Sequence, residues 1–212
     1  MLKNYSFTKN NLLRFAKVSK RNFSEHAKVL IIGAGSGGTC VASQLANEKI
    51  VKNSDITFID KADIHYYQPG FTKVGGGVYD VNNKGLIEYD ISSLTSDYKL
   101  IKAEATKVDP NSRKVYLDNG DFVSYDYLVM SPGLDVNFNG IPGLVDLLEK
   151  ENSNVVSVYN YKYALKTAKR REDFKGGRAL FTQPPAPIKC AGAPQKLLYL
   201  SDAYWKNKGI QA

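Results

Sequence analysis

The sequence predicts an α/β fold that opens with a nucleotide-binding unit, and three observations carry that prediction. Val29-Leu30-Ile31-Ile32 is an unbroken apolar run, the pattern of a parallel strand covered on both faces. It leads directly into Gly33-Ala34-Gly35-Ser36-Gly37-Gly38, a G-x-G-x-x-G pattern that opens a helix. A second strand, Asp55 to Asp60, then ends on a carboxylate 22 residues beyond Gly38.

Each feature has a physical role. Gly33 permits a tight turn, Gly35 lets a pyrophosphate approach the backbone, and Gly38 lets the helix lie close to the strand. The unpaired N–H groups of the first helical turn, around Ser36 and Gly37, then face the phosphates. Asp60 is placed to accept hydrogen bonds from adenosine ribose hydroxyls. Strand, glycine turn, helix and acidic strand end together describe a Rossmann-like dinucleotide unit. They leave NAD and FAD both open.

At 212 residues the chain can bury one core and part of another. Its net charge of +8 resembles a nucleic-acid signal, but the charge is concentrated at one end. Lys3, Lys9, Arg14, Lys17, Lys20 and Arg21 lie in the first 24 residues, where Asp and Glu are absent. The rest of the chain carries only +2 (8 − 6), so no nucleic-acid partner is expected. The first 24 residues mix these cations with hydroxyls and apolar residues such as Leu12, Leu13 and Phe15. That is the composition of a mitochondrial transit peptide, with cleavage expected near Arg21 to Ser24. The apolar runs are all far short of the ~20 residues a membrane span needs. Two cysteines, Cys40 and Cys190, make no disulfide framework.

Along the chain, Thr39 to Glu48 reads as a helix with Val41, Ala42 and Leu45 inward. Cys40, within its first turns, reads as a small buried packing residue. Lys61 to Asp80 is an aromatic, glycine-rich loop that should cover something flat. Tyr66, Tyr67 and Phe71 could pack on a ring system, and Gly75-Gly76-Gly77 would allow close backbone approach. His65 reads as a satisfied structural histidine, since no partner lies at metal-ligand spacing, and no metal site is expected.

Tyr98 to Asp109 and Arg113 to Leu117 read as strands. Asp118 to Asp121 is a hairpin turn, and Phe122 to Tyr125 returns from it to complete a three-strand meander. Tyr127 to Met130 reads as a further buried strand ending in Ser131-Pro132-Gly133, at the strand end where open α/β sheets place ligands. Tyr159 to Phe174 reads as a basic helix with a solvated charged face. Ala179 to Thr182 is expected to be a strand. Gln195 to Trp205 is expected to be a helix whose apolar face includes Leu197, Leu198, Leu200, Ala203 and Tyr204. Strand, loop and helix here look like the opening of a second nucleotide-type unit. The expected organisation is 1–24 transit peptide, 25–150 Rossmann-like domain, and 151–212 the start of a second α/β domain.

Cys190 stands out chemically. It follows a proline-stiffened loop, has Lys189 beside it and precedes a helix N-terminus, all of which favour a thiolate.

Three segments taken together resemble the mitochondrial sulfide:quinone oxidoreductases, flavoproteins of the two-dinucleotide-domain family. They are Gly33 to Gly38, His65-Tyr66-Tyr67-Gln68-Pro69-Gly70, and Pro187-Ile188-Lys189-Cys190-Ala191-Gly192-Ala193-Pro194-Gln195-Lys196. The likeness runs from about Lys28 to the last residue. It implies FAD as cofactor, with Gly33, Gly35, Ser36, Gly37, Gly38, Asp60, Lys61, Gln68, Pro132 and Gly133 as candidate binding residues. It implies that Cys190 is the first of two redox cysteines, that hydrogen sulfide is oxidised through a persulfide, and that the electrons reach ubiquinone by way of FAD. Sulfane sulfur would leave to glutathione or sulfite, at the surface of the inner mitochondrial membrane. The family's second redox cysteine and its quinone- and membrane-binding region lie in the later half of its length, and this sequence ends first. The expectation is therefore a truncated product or a fragment, unable to complete the cycle alone. Two alternatives stay open: a truncated FAD-binding paralogue without turnover, and a type II NADH:quinone dehydrogenase. The latter needs a second glycine fingerprint, which Phe181 to Pro187 lacks.

Overall fold

The computed structural model describes residues 24–212. The expected transit peptide and its cleavage site lie outside the described residues, apart from Ser24 at the start of the first strand. Strand β1 (Ser24–Ile32) feeds the glycine turn and helix α1 (Ser36–Asn47), and β2 (Ile56–Ile59) follows. A short pair, β3 (Ile64–Tyr66) and β4 (Glu88–Asp90), encloses the small helix α2 (Phe71–Gly75). After α3 (Ile91–Leu94) come β5 (Lys99–Ile101), β6 (Ala105–Asp109), β7 (Lys114–Leu117) and β8 (Phe122–Met130). Three helices complete the order: α4 (Leu144–Glu149), α5 (Tyr161–Asp173) and α6 (Ala193–Asn207).

Six strands form one sheet in the order β5-β2-β1-β8-β7-β6. The first four are mutually parallel, and β8-β7-β6 is an antiparallel meander. The apolar run of β1 lies at the centre, as a strand covered on both faces should. Val29, Ile31, Ile56 and Phe58 pack under Ala34 and Ala42 of the glycine turn and α1 and under Ile91 of α3. On the other face Leu30, Ile32 and Ile59 meet Val115, Leu117, Val123 and Tyr125, so the meander folds over that side. Each fully buried Ile or Phe here contributes about 1.5–3 kcal/mol.

Several sequence expectations are corrected. Tyr98 to Asp109 is two strands, broken where the chain leaves the parallel edge to enter the meander. Phe122 to Met130 is one strand rather than two. Its first residues pair with β7 while its whole length pairs with β1. Tyr127, expected to be buried, is 67% exposed: on that face of β8 it is Val129, two residues on, that packs against the core under α1. Cys40, expected to be buried, is exposed. The inward stripe of α1 is Gly38, Ala42 and Leu45, and Cys40 falls on the opposite side of the helix.

Ala179 to Thr182 forms no strand. Among the described residues neither edge of the six-stranded sheet receives it. Phe181 packs instead beside Val158, Ala193 and Leu197, with its ring 6.3 Å from that of Trp205. Residues 151–212 thus contribute two helices and extended chain. On α6 the buried positions are Ala193, Leu197, Ser201 and Trp205, one every four residues, whereas Leu198 and Ala203 are exposed. Pro194 sits in the first turn, where its missing N–H costs nothing.

The charges of α5 are not uniformly solvated. Lys166 donates to the carbonyls of Leu147, Leu148 and Lys150, all at 2.9 Å, satisfying the carbonyls left unpaired at the end of α4. Burial there pushes the Lys166 ammonium below its ordinary pKa. Arg171 is only 5% exposed. Its Nη1 donates to Gly76 O, its guanidinium lies 4.2 Å from the centre of the Tyr204 ring, and its own carbonyl accepts from Trp205 Nε1. The Gly75-Gly76-Gly77 run faces this same packing rather than open space. A Cβ on Gly75 would meet Val158, on Gly76 Leu200, and on Gly77 the Arg171 guanidinium. The glycines admit side chains of α5, α6 and the segment before α5, so α2 docks on both later helices. No helix among the described residues is long and apolar enough to cross a membrane.

Candidate cofactor and thiol site

The glycine turn is built as its spacing predicts. Gly33 has φ +96, and a Cβ there would stand 2.2 Å from Ser131 O. A Cβ on Gly38 would stand 2.0 Å from Gly33 O. Both positions are closed by backbone, so only glycine fits. The turn after β8 is tied to it: Ser131 N and Oγ both donate to Ile32 O, at 2.8 and 3.0 Å. Pro132 follows Ser131 against the same glycine, while Gly133 (φ +79) faces open space.

Helix α1 starts at Gly35 with no side-chain cap and no acidic residue in its first turn. Ser36 and Gly37 are exposed. An uncapped helix start with exposed N–H groups suits an anion. Asp60 Oδ2 accepts from Ala34 N and Oδ1 from Ala62 N, each at 2.8 Å. A carboxylate oxygen can accept twice, so each keeps capacity for a ribose hydroxyl. These residues fit the adenosine diphosphate half of a dinucleotide. Lys61 does not join them: its ammonium pairs with Glu104 at 2.9 Å, which raises its pKa.

A second region gathers around a cleft of about 620 Å³. Its walls include Tyr66, Gln68 and Phe71 from the aromatic loop, Leu134 to Val136 from the chain after β8, Tyr159 and Tyr161, and Lys189. Phe71 is buried and stacks on Tyr161 at 5.8 Å, and Tyr66 lies 5.0 Å from that same ring. The Tyr-Gln-Pro loop and the cysteine loop, far apart in sequence, therefore share a wall. Tyr67, also offered for ring packing, is exposed and outside the cleft lining.

Cys190 is a free, exposed thiol next to this wall. Its backbone is held at φ +154, a region that non-glycine residues seldom adopt. Its carbonyl accepts from Tyr159 Oη at 3.2 Å and from Ala193 N at 2.9 Å. Burial raises the Tyr159 phenol pKa, and the neighbouring Cys190 sulfur adds to that. Burial lowers the Lys189 ammonium pKa while Cys190 opposes the change, and Lys189 Nζ lies 5.5 Å from the Phe71 ring centre. Tyr159 was not legible as a site residue. Asn160, whose side chain caps α5 through Lys162 N, was the available signal that the helix begins only at Tyr161 and leaves Tyr159 free to turn toward Cys190.

Residues 27–177 match the pyridine nucleotide-disulphide oxidoreductase family. The chain belongs to that family. Pyridine nucleotide-disulphide oxidoreductases of this kind are FAD-binding flavoproteins. The mitochondrial sulfide:quinone oxidoreductase of Schizosaccharomyces pombe is 35% identical over 93% of this chain and 46% of its own length. That of Dictyostelium discoideum is 36% identical over 91% of this chain and 42% of its own. The chain thus spans less than half the length of these relatives. The sulfide:quinone oxidoreductase structure from Aquifex aeolicus superposes with a TM-score of 0.65 at 24% identity, over 88% of this chain and 41% of that one, a likeness of fold.

Proposed function

We propose that the chain supplies the FAD-binding unit and the first reactive cysteine of a mitochondrial sulfide:quinone oxidoreductase. The observation that supports it most is the shared cleft, where Gln68 of the aromatic loop and Lys189 of the cysteine loop line one wall. The relatives of that name extend over nearly the whole chain.

In this reading the glycine turn from Gly33 to Gly38 holds the cofactor diphosphate and Asp60 its ribose. Gln68, Pro132 and Gly133 border the rest of the cofactor. When bound, FAD supplies a two-electron acceptor that can pass electrons singly or in pairs to quinone. The chain's own task is sulfur chemistry. Sulfide opens a sulfur bridge between Cys190 and a second cysteine, giving one persulfide and one thiolate. That second cysteine would come from the part of the relatives' length that this chain does not span. Tyr159 holds the Cys190 backbone in place by donating to its carbonyl, and Lys189 keeps a positive charge beside the reacting sulfur. Glutathione or sulfite then takes the sulfane sulfur, at the inner-membrane surface where quinone is dissolved.

The test is sulfide-driven reduction of a ubiquinone analogue by the native polypeptide. Cys190→Ser is expected to abolish it while leaving FAD content unchanged. Quinone reduction retained in that variant would remove Cys190 from the reaction.

A further inference from the structure

His65 appears in the aromatic loop motif, yet nothing above gives it a task. The structure places it at the mouth of the glycine turn. Its Nε2 lies 3.0 Å from Ser36 Oγ, the first residue of α1. A Cβ on Gly35 would meet one thing, the His65 ring, with Nδ1 at 3.4 Å. Gly35 is the glycine whose missing side chain lets a diphosphate reach the backbone. The space it opens is bordered by an imidazole carried on β3, whose pairing with β4 sets His65 opposite Tyr89.

We propose that His65 is a contact of the cofactor diphosphate and takes up a proton when that diphosphate binds. The proposal rests on the reading of Gly33 to Gly38 as the diphosphate cradle. The groups around the ring are Ser36 of α1, Asp60 at the end of β2, and Tyr89 of β4 with Glu88 and Asp90 on either side of it. Glu88 is directed to Lys84 and Tyr161, so Asp60 is the carboxylate that bears on His65. Burial outweighs that carboxylate and holds the imidazole below its ordinary pKa. An arriving diphosphate adds two negative charges beside the ring and reverses the balance, which favours imidazolium. Affinity then falls as pH rises, because the protonated form binds better. The α1 N-terminus contributes a fixed field, whereas His65 contributes one that depends on pH.

The probe is ADP-ribose, whose diphosphate diester carries no titrating proton near neutrality. Calorimetry of the 212-residue chain in two buffers of different ionisation heat should show proton uptake on binding at neutral pH. Affinity should weaken about tenfold between pH about 5.5 and about 8. His65→Gln, which keeps a hydrogen-bonding group near Ser36, should abolish the uptake and flatten the pH profile. The chain's other histidine, His26, sits at the far end of β1 and remains as an internal control. Binding without proton uptake, or uptake unchanged in His65→Gln, overturns the proposal. Should the variant fail to fold, the uptake measured on the natural chain decides it alone. Absence of ADP-ribose binding at every pH overturns the cradle reading, and His65's role with it.

Discussion

Two glycine runs look alike in the sequence and are used in opposite ways. The first run, Gly33 to Gly38, is closed by backbone at its two ends, Gly33 and Gly38, where carbonyls of Ser131 and Gly33 occupy the space a side chain would need. Gly75 to Gly77 is closed by side chains: Val158, Leu200 and Arg171 fill it from the later segments of the chain. The first run keeps the exposed helix start free for a ligand. The second is consumed by the protein's own packing. A glycine run therefore signals close approach, and the identity of the approaching atoms decides whether the meaning is binding or docking.

Substitutions can break this contrast or sharpen it. The largest effect is expected for Gly38→Ala, because backbone cannot move aside by 1 Å without dismantling the turn. A loss of about 3 kcal/mol or more is expected in denaturant unfolding, together with loss of flavin. Gly77→Ala should cost less, about 1–3 kcal/mol, because a guanidinium can swing away where a carbonyl cannot, although φ +77 at that residue adds strain. The folded fraction of Gly77→Ala should bind ADP-ribose with unchanged affinity. Weakened binding there would show that the second run also faces ligand.

The smallest effect concerns acid. Glu149 accepts from Lys162 Nζ and from Tyr163 Oη, and these bonds hold its carboxyl below the ordinary 4.5. Its contribution is present above 4.5 and is lost as pH falls through the lower folded value. Glu149→Gln should flatten the acid limb by lowering stability slightly above pH 4.5, where the carboxylate is ionised, while leaving stability in strong acid unchanged, as followed by thermal melts across pH. An unchanged acid limb would place its origin elsewhere.

The parallel half of the fold was legible because its signals are local. An apolar run, three spaced glycines and a carboxylate at a strand end each act within a few residues, and Gly33, Gly38 and Asp60 all stand where the pattern puts them. What was hidden depends on distant partners. Ala179 to Thr182 has strand composition, but a strand requires an edge to pair with, and composition cannot report one. Arg171 looked like surface because charge is usually solvated. Its burial follows from Gly76 and Tyr204, which lie far from it along the chain. Cys40 was misjudged by residue type, when the register of α1 against Ala42 would have turned it outward. His65 was read as merely satisfied. Its position against Gly35 depends on β3–β4 pairing, which the three-residue strand Ile64–Tyr66 barely announces.

The bond from Ser131 Oγ to Ile32 O joins groups 99 residues apart, and β1 pairs with β8 at a similar separation throughout. This bears on how the protein is made. Strand β1 lacks one of its two neighbours until residue 130 has been synthesised. Until then Val29 to Ile32 is an unpaired, strongly apolar edge, the kind of surface that chaperones hold and that aggregation exploits. Loop closure over such a distance is slow compared with helix formation. The glycine turn is consequently completed only once the chain has reached Ser131, and an earlier flavin would find no finished cradle to enter.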